Sequence, residues 1–169
     1  MEIDLQNPNP IINNTPYQQS KEFIDERTKL ENDPSVEDPI DKYELYEIIR
    51  TINDPEHPLT LEQINVVSVD NIHVDNEKKR ITVYFTPTIP NCTMSAIIGL
   101  SIKVKLLNTV SRKYKIDVLI EPGKHMTEDA INKQLCDKER VYAALEADGL
   151  KRIISRTIKN DEEFDLIYQ

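Results

Sequence analysis

Apolar side chains recur at helical spacing in DKYELYEIIRTI, where Tyr43, Leu45, Tyr46, Ile48, Ile49 and Ile52 fall on one stripe. Asp41 stands near the start of this predicted helix. Its end precedes Asn53-Asp54-Pro55, because the residue before a proline avoids the helical region. Thr60-Leu61-Glu62-Gln63 predicts a helical turn, with Thr60 as cap and Gln63 as the reciprocal partner. Val66–Val74 reads as a strand whose alternation slips: Val67 and Val69 share one phase, Ile72 and Val74 the other. A bulge or bend near Asp70-Asn71 would account for the slip. After a DNEKK turn, Ile81, Val83 and Phe85 alternate with Thr82, Tyr84 and Thr86, so the two strands predict an antiparallel hairpin.

Pro87 and Pro90 end that strand. Met94, Ile97, Ile98, Ser101, Ile102, Lys105 and Leu106 then follow helical spacing, closing near Asn108. KYKIDVLIE alternates again, with Tyr114, Ile116, Val118 and Ile120 on one face, and Pro122-Gly123 stops it. Thr127 is the expected cap of a further helix that carries Glu128 and Asp129 in its first turn, favoured by the helix dipole. This helix runs through Ile131, Leu135, Val141, Ala144 and Leu145, and Gly149 separates it from a last helix over Leu150–Ile158. The order is helix, strand, strand, helix, strand, helix, helix. The expected class is a small α/β (α+β) layer fold, a three-stranded mixed sheet covered by helices. The crossover from Phe85 to Tyr114 is expected to be right-handed and its strands parallel. No internal repeat is visible.

Charge divides the 169 residues into three parts. Residues 1–40 hold nine acidic and three basic side chains and five of the ten prolines, with few large apolar residues. Such a segment buries too little surface to offset its ordering entropy, so it is expected to be a disordered acidic tail, with a short helix possible around Ser20–Glu31. Residues 160–169, NDEEFDLIYQ, hold four acids and no base, interleaved with Phe164, Leu166, Ile167 and Tyr168; this stretch is either a frayed end or a docking peptide. Residues 41–159, the expected folded domain, carry 17 acids and 18 bases. The acidity therefore belongs to the tails. No element concentrates positive charge as a nucleic-acid binder would, so direct nucleic-acid binding is not expected.

Two cysteines do not make a disulfide framework and fit a reducing compartment. MEIDLQNPNP lacks the basic and apolar regions of a signal peptide, and the best apolar run, SAIIGLSIKVKLL, is broken by Lys103 and Lys105. A cytoplasmic or nuclear protein with no membrane partner is the expectation.

Several kinds of chemistry lack their signature. The three glycines are far apart, so there is no phosphate loop, and there is no Cys-x-x-Cys or His-Glu-x-x-His. No acid pair stands out among 30 acids for acid–base work. What remains is PTIPNCTMSAIIGL. Cys92 lies at the predicted start of a helix, where unpaired backbone N–H groups favour a thiolate and lower the thiol pKa. Thr93 and Ser95 add donors. The other reading is that Cys92 is a buried filler, as free cysteines often are. Cys136, mid-helix between Leu135 and Asp137, reads as a partly buried small residue. His57 in DPEHP and His125 in PGKHMTED sit in loops beside prolines, where a histidine caps a helix or binds metal. His73 lies on a polar strand phase and is expected to be exposed. One cysteine and two histidines cannot form a four-cysteine iron–sulfur site in one chain, although they suffice for part of a site completed by a partner or a second copy. A cysteine hydrolase would need a histidine beside Cys92 as general base, and no local signature supports one.

Three separated blocks, in the same order, resemble one family: DPEHPLTLEQINVV, PTIPNCTMSAIIGLSIKVKL and EPGKHMTEDAINKQLCDKERVYAALE. This is the cytosolic iron–sulfur assembly component two family, built on the domain of unknown function fifty-nine. The resemblance covers residues 42–158 and leaves the tails outside. It implies a subunit of a cytosolic targeting complex that delivers iron–sulfur clusters to apoproteins, not an enzyme. The implied partners are a WD40 propeller protein, a large helical-repeat adaptor and apo iron–sulfur clients of cytosol and nucleus. It also implies a homodimer, some members exchanging elements. The family's reactive cysteine falls on Cys92, and its two loop histidines on His57 and His125. No stably bound cofactor is implied; the cluster would be bound transiently, and zinc held by His57 or His125 with acids across a dimer is a further possibility. Cys136 departs from the pattern, since relatives carry a small residue such as alanine there. The family has several branches with different clients, and a single-domain bacterial branch also serves cluster assembly. An alternative within the same resemblance is a purely interaction-based adaptor, with Cys92 packed at a partner interface.

Overall fold

The computed structural model describes Ile12, residues 39–88 and residues 94–158. The expected acidic tails, the Ser20–Glu31 helix and Cys92 itself lie outside the described residues. Among those described, five α-helices and three strands follow in the order α1 (Lys42–Ile49), β1 (Ile72–Asp75), β2 (Arg80–Phe85), α2 (Ser95–Thr109), β3 (Lys115–Ile120), α3 (Glu128–Cys136), α4 (Lys138–Glu146) and α5 (Asp148–Ile158). The sheet order is β1-β2-β3, antiparallel between the first two and parallel between the last two. The small α/β fold and its mixed three-stranded sheet are therefore as expected.

The register gathers one apolar phase. Ile72 pairs with Val83 and Val74 with Ile81 across the hairpin. Ile81, Val83 and Phe85 stand beside Ile116, Val118 and Ile120 across the parallel pair. Seven of these eight side chains are buried, and Val74 packs against them. The buried stripes of α1, α2, α3, α4 and α5, among them Leu45, Ile49, Ile98, Ile102, Leu135, Val141, Leu145 and Ile154, complete one core. At roughly 25 cal/mol for each Å² of apolar surface removed from water, this burial is the main force holding the layers together.

Local signals act as the sequence suggests at several points. Asp41 caps α1, its carboxylate accepting from the Tyr43 and Glu44 amides at 2.7 and 2.8 Å. Thr60 and Gln63 bond reciprocally, at 2.9 Å from the Thr60 amide and 3.3 Å from the Gln63 amide. The β1–β2 turn is closed by the Lys78 amide on Asp75, while Lys79 takes a positive φ of 50°.

Four expectations are corrected. The strand reading of Val66–Val74 holds only for its end, residues 72–74: Val69–Asn71 form a 3-10 turn, so of the bulge or bend expected near Asp70-Asn71 the bend is what the chain makes. The helix after Pro90 begins at Ser95, with Met94 at the cap position and no side-chain capping bond. Thr127 occupies the cap position of α3 without a capping bond of its own. The single helix expected from Thr127 to Leu145 is split at Asp137, whose carboxylate accepts from the Glu139 and Arg140 amides and so starts α4, and the separation expected at Gly149 falls two residues earlier, at Ala147. Gly149 itself lies in the first turn of α5. An aspartate that caps a new helix interrupts the old one more firmly than a glycine that can remain helical.

Of the three glycines, Gly99 alone is closely packed. A Cβ there would lie 2.5 Å from a terminal carbon of Leu135 and 3.1 Å from two carbons of the Phe85 ring. Nothing lies within 4 Å of a Cβ at Gly149. The same substitution therefore acts in opposite senses. Gly99→Ala is expected to lose about 1 kcal/mol, overpacking exceeding the gain in helix propensity. Gly149→Ala is expected to gain roughly 0.5 kcal/mol. Urea unfolding of both variants checks the signs.

Lys103 is buried on α2, 5% exposed, and donates to the Leu135 carbonyl. Burial pulls its pKa below the usual lysine value, against the pull of Cys136 and Asp117. The folded state thus releases this proton at lower pH than the unfolded chain. Stability from this residue is least where the ammonium is charged and grows as pH rises from the depressed value to the ordinary lysine value. Lys103→Met should remove that alkaline gain, seen as a flatter stability profile between neutral pH and pH ~10.

Candidate functional site

Because β2 and β3 are parallel and in register to their ends, with Phe85 opposite Ile120, the segments that follow them leave the sheet side by side. One leads toward Cys92 and then α2, the other to His125 and then α3. Their roots are tied together. The Glu121 amide donates to the Phe85 carbonyl at 2.9 Å. The Glu121 carboxylate accepts from the Thr86 hydroxyl and, at 3.5 Å, from the Asn71 side-chain amide. In open α/β sheets, ligands bind outside the carboxyl ends of parallel strands, and that is the end from which both loops emerge.

His57 reaches the same end by another route. Asp54, buried, accepts from the Glu56 and His57 amides, at 2.8 Å each, and so folds DPEHP into a tight aspartate turn. The Asn53 amide donates to the Thr157 carbonyl at 2.8 Å. The Thr157 hydroxyl in turn meets the Ser101 hydroxyl at 2.9 Å, fastening the end of α5 to α2. A cavity of about 530 Å³ results, lined by Asn53, His57, Met94, Ile153 and Arg156 among others. Met94 is two residues beyond Cys92, so His57 faces the entry to α2.

His125 is half-buried in the loop before α3. Its Nδ1 accepts from the Thr127 amide at 3.1 Å, which leaves the ring proton on Nε2. Gly123, at a φ of 78°, turns the chain and donates to the Glu128 carboxylate at 2.7 Å. The amide it accepts from is that of the cap residue Thr127, not one of the first-turn amides of α3.

At the start of α2 the first helical bond runs from the Ile98 amide to the Met94 carbonyl. The amides of Ser95, Ala96 and Ile97 thus have no partner within the helix. Ser95 is fully buried, and among the described residues its hydroxyl is without a hydrogen-bond partner. Cys136 is exposed at the end of α3 and not half-buried in mid-helix. His73 is exposed, as expected, its ring edge-on to Tyr84 at 5.8 Å. Among the described residues, no group of three or more His, Cys, Asp or Glu side chains is placed to hold a metal ion. No helix among them is long and apolar enough to cross a membrane.

Asp54 and Thr157 were not singled out from the sequence. An aspartate two residues before the turn amide it accepts from carries a readable signal; a threonine in the last turn of a helix that bonds across about 100 residues carries none. Asp54→Ala should cost about 1–2 kcal/mol by leaving two amides without their acceptor, and Asp54→Asn less than half of that. Amide exchange at Glu56 and His57, faster in the alanine variant, checks the local origin.

Residues 42–118 match the family model described as iron–sulfur cluster assembly protein. A MIP18 family protein of Caenorhabditis elegans is 51% identical over 137 residues, covering 80% of this chain and 86% of its own. The MIP18 family protein galla-2 of Drosophila melanogaster is 47% identical over 158 residues, covering 94% and 97%. Cytosolic iron-sulfur assembly component 2B of Mus musculus is 49% identical over 154 residues, covering 91% of each chain. With its fold, its length and its residues aligned at this level, the chain belongs to the MIP18 family of iron–sulfur cluster assembly proteins.

Proposed function

We propose that this protein acts in cytosolic iron–sulfur protein assembly as a non-enzymatic factor that helps pass clusters to apoproteins. The observation that carries this reading is the close likeness, along nearly the whole chain, to proteins named cytosolic iron-sulfur assembly component 2B in Mus musculus and Dictyostelium discoideum. The adjacent strand ends support it, since they bring the loop that leads to Cys92 beside the His125 loop, with the His57 turn facing Met94.

In this reading the cluster is cargo. Cys92 supplies a thiolate that ligates iron briefly during handover. A thiol at a helix start is expected to titrate low, and among the described residues the buried Ser95 hydroxyl, three residues on in sequence, has no hydrogen-bond partner. His57 is held through its amide by the Asp54 carboxylate and His125 through its ring by the Thr127 amide, and both would help to position cargo or partner. A WD40 propeller, a large helical-repeat adaptor and a second copy of the chain are the partners proposed, in cytoplasm and nucleus.

The test is replacement in cells. Cys92→Ala and Cys92→Ser should each abolish maturation of cluster enzymes while the protein stays folded and still co-purifies with the propeller and the adaptor. Full client activity in either variant would reject the role of the thiol. Loss of co-purification, with a Cys92 alkylation rate that titrates at the ordinary thiol value of about 8.5, would reject cluster ligation in favour of an interface residue.

A further inference from the structure

At the other end of α2, away from the candidate site, lies a second cavity of about 540 Å³. Its apolar floor includes Val104, Leu107, Val110, Val141 and Leu145. Five cationic side chains line it (Lys103, Arg112, Lys113, Lys115 and Lys138) against one carboxylate, Asp117. That carboxylate is already engaged by Arg80 at 2.8 Å and more loosely by Lys115 at 3.9 Å. Lys103 is the buried member. Its ammonium has three N–H bonds, and among the described residues only the Leu135 carbonyl accepts from it. A buried ammonium with donors to spare, above an apolar floor and below a basic rim, calls for an anionic occupant that also carries apolar side chains.

The sequence holds one segment of that chemistry. Residues 160–169, NDEEFDLIYQ, interleave four acids with Phe164, Leu166, Ile167 and Tyr168. We propose that this basic, apolar-floored cavity is a docking site for the acidic–apolar segment 160–169 of the chain itself. Carboxylates would meet the lysine rim and the Lys103 ammonium, and an aromatic or aliphatic side chain would fill the floor. Reach permits it within one molecule. The segment starts just beyond Ile158, at the end of α5 fastened near Asn53, while α5 begins directly after α4, which lines the cavity. The return distance is therefore about one length of α5, roughly 16 Å. Ten extended residues span up to about 33–36 Å.

Cys136 lies on the cavity wall and is exposed, so it reports occupancy without taking part in it. The full-length protein is compared with a full-length variant whose tail acids are neutralised, Asp161→Asn, Glu162→Gln, Glu163→Gln and Asp165→Asn. Alkylation is followed at Cys136 by peptide mass spectrometry, which separates it from Cys92. The native tail should slow Cys136 alkylation several-fold relative to the neutralised tail, and added salt should erase the difference. A labelled synthetic peptide of residues 160–169 should bind the neutralised-tail protein, and Lys115→Glu with Lys138→Glu should weaken it about tenfold or more. Equal alkylation of the two proteins, or peptide binding indifferent to the lysine changes, would overturn the proposal. So would equal binding of a peptide with Phe164, Leu166, Ile167 and Tyr168 replaced by serine, which would show a site for any polyanion. Protection that grows with protein concentration would place the segment of a second copy in the cavity and overturn docking within one molecule.

Discussion

The parallel pairing of β2 with β3 is the constraint on which the rest depends. Parallel neighbours cannot be joined by a tight turn; the chain must cross over, and here it crosses as α2. That single requirement sets the helix against the sheet and places its start at the carboxyl ends of the strands. It also brings the Gly99 backbone onto the Phe85 ring and Leu135. The same pairing aligns Ile81, Val83 and Phe85 with Ile116, Val118 and Ile120, so one register decides both the core and the place where loops gather. A slip of one residue would turn every one of these side chains to the other face.

Much of this was legible because periodicity and punctuation agree. Alternation in RITVYF and KIDVLI, the Asp41 cap and the Thr60–Gln63 pair are local signals, and local signals survive in the fold. The failures differ in cause. At Thr127 a rival polar partner decides the outcome, whereas the restart at Asp137 rests on a local cap that the helical periodicity of the segment masks. Thr127 presents its amide to His125, a contact that spacing alone does not reveal.

The candidate site was legible in its chemistry and not in its geometry. Cysteine, histidines and loops could be named from PNCT, DPEHP and PGKH, and the resemblance assigned them to one site. How His57 comes to face the entry of α2 was hidden, because it runs through Thr157, Ser101 and Asp54. These are ordinary residues whose importance comes from bonds to partners distant in sequence. The two cavities divide the labour of α2: one end meets loops rich in turn residues, the other a basic rim around a buried ammonium.

The bond from the Asn53 amide to the Thr157 carbonyl spans almost the whole domain in sequence. On a ribosome the turn that holds His57 is made early, but its anchor on Thr157 emerges about a hundred residues later. Local helices can form as the chain lengthens, whereas a contact of such long sequence separation closes only when both ends are present. A nascent chain that has not reached the end of α5 would carry the sheet, the crossover and the Asp54 turn, yet lack the bond that ties this turn to α5. The order of synthesis thus sets an order of assembly: the Asp54 turn can close first, and its tie to α5 only later.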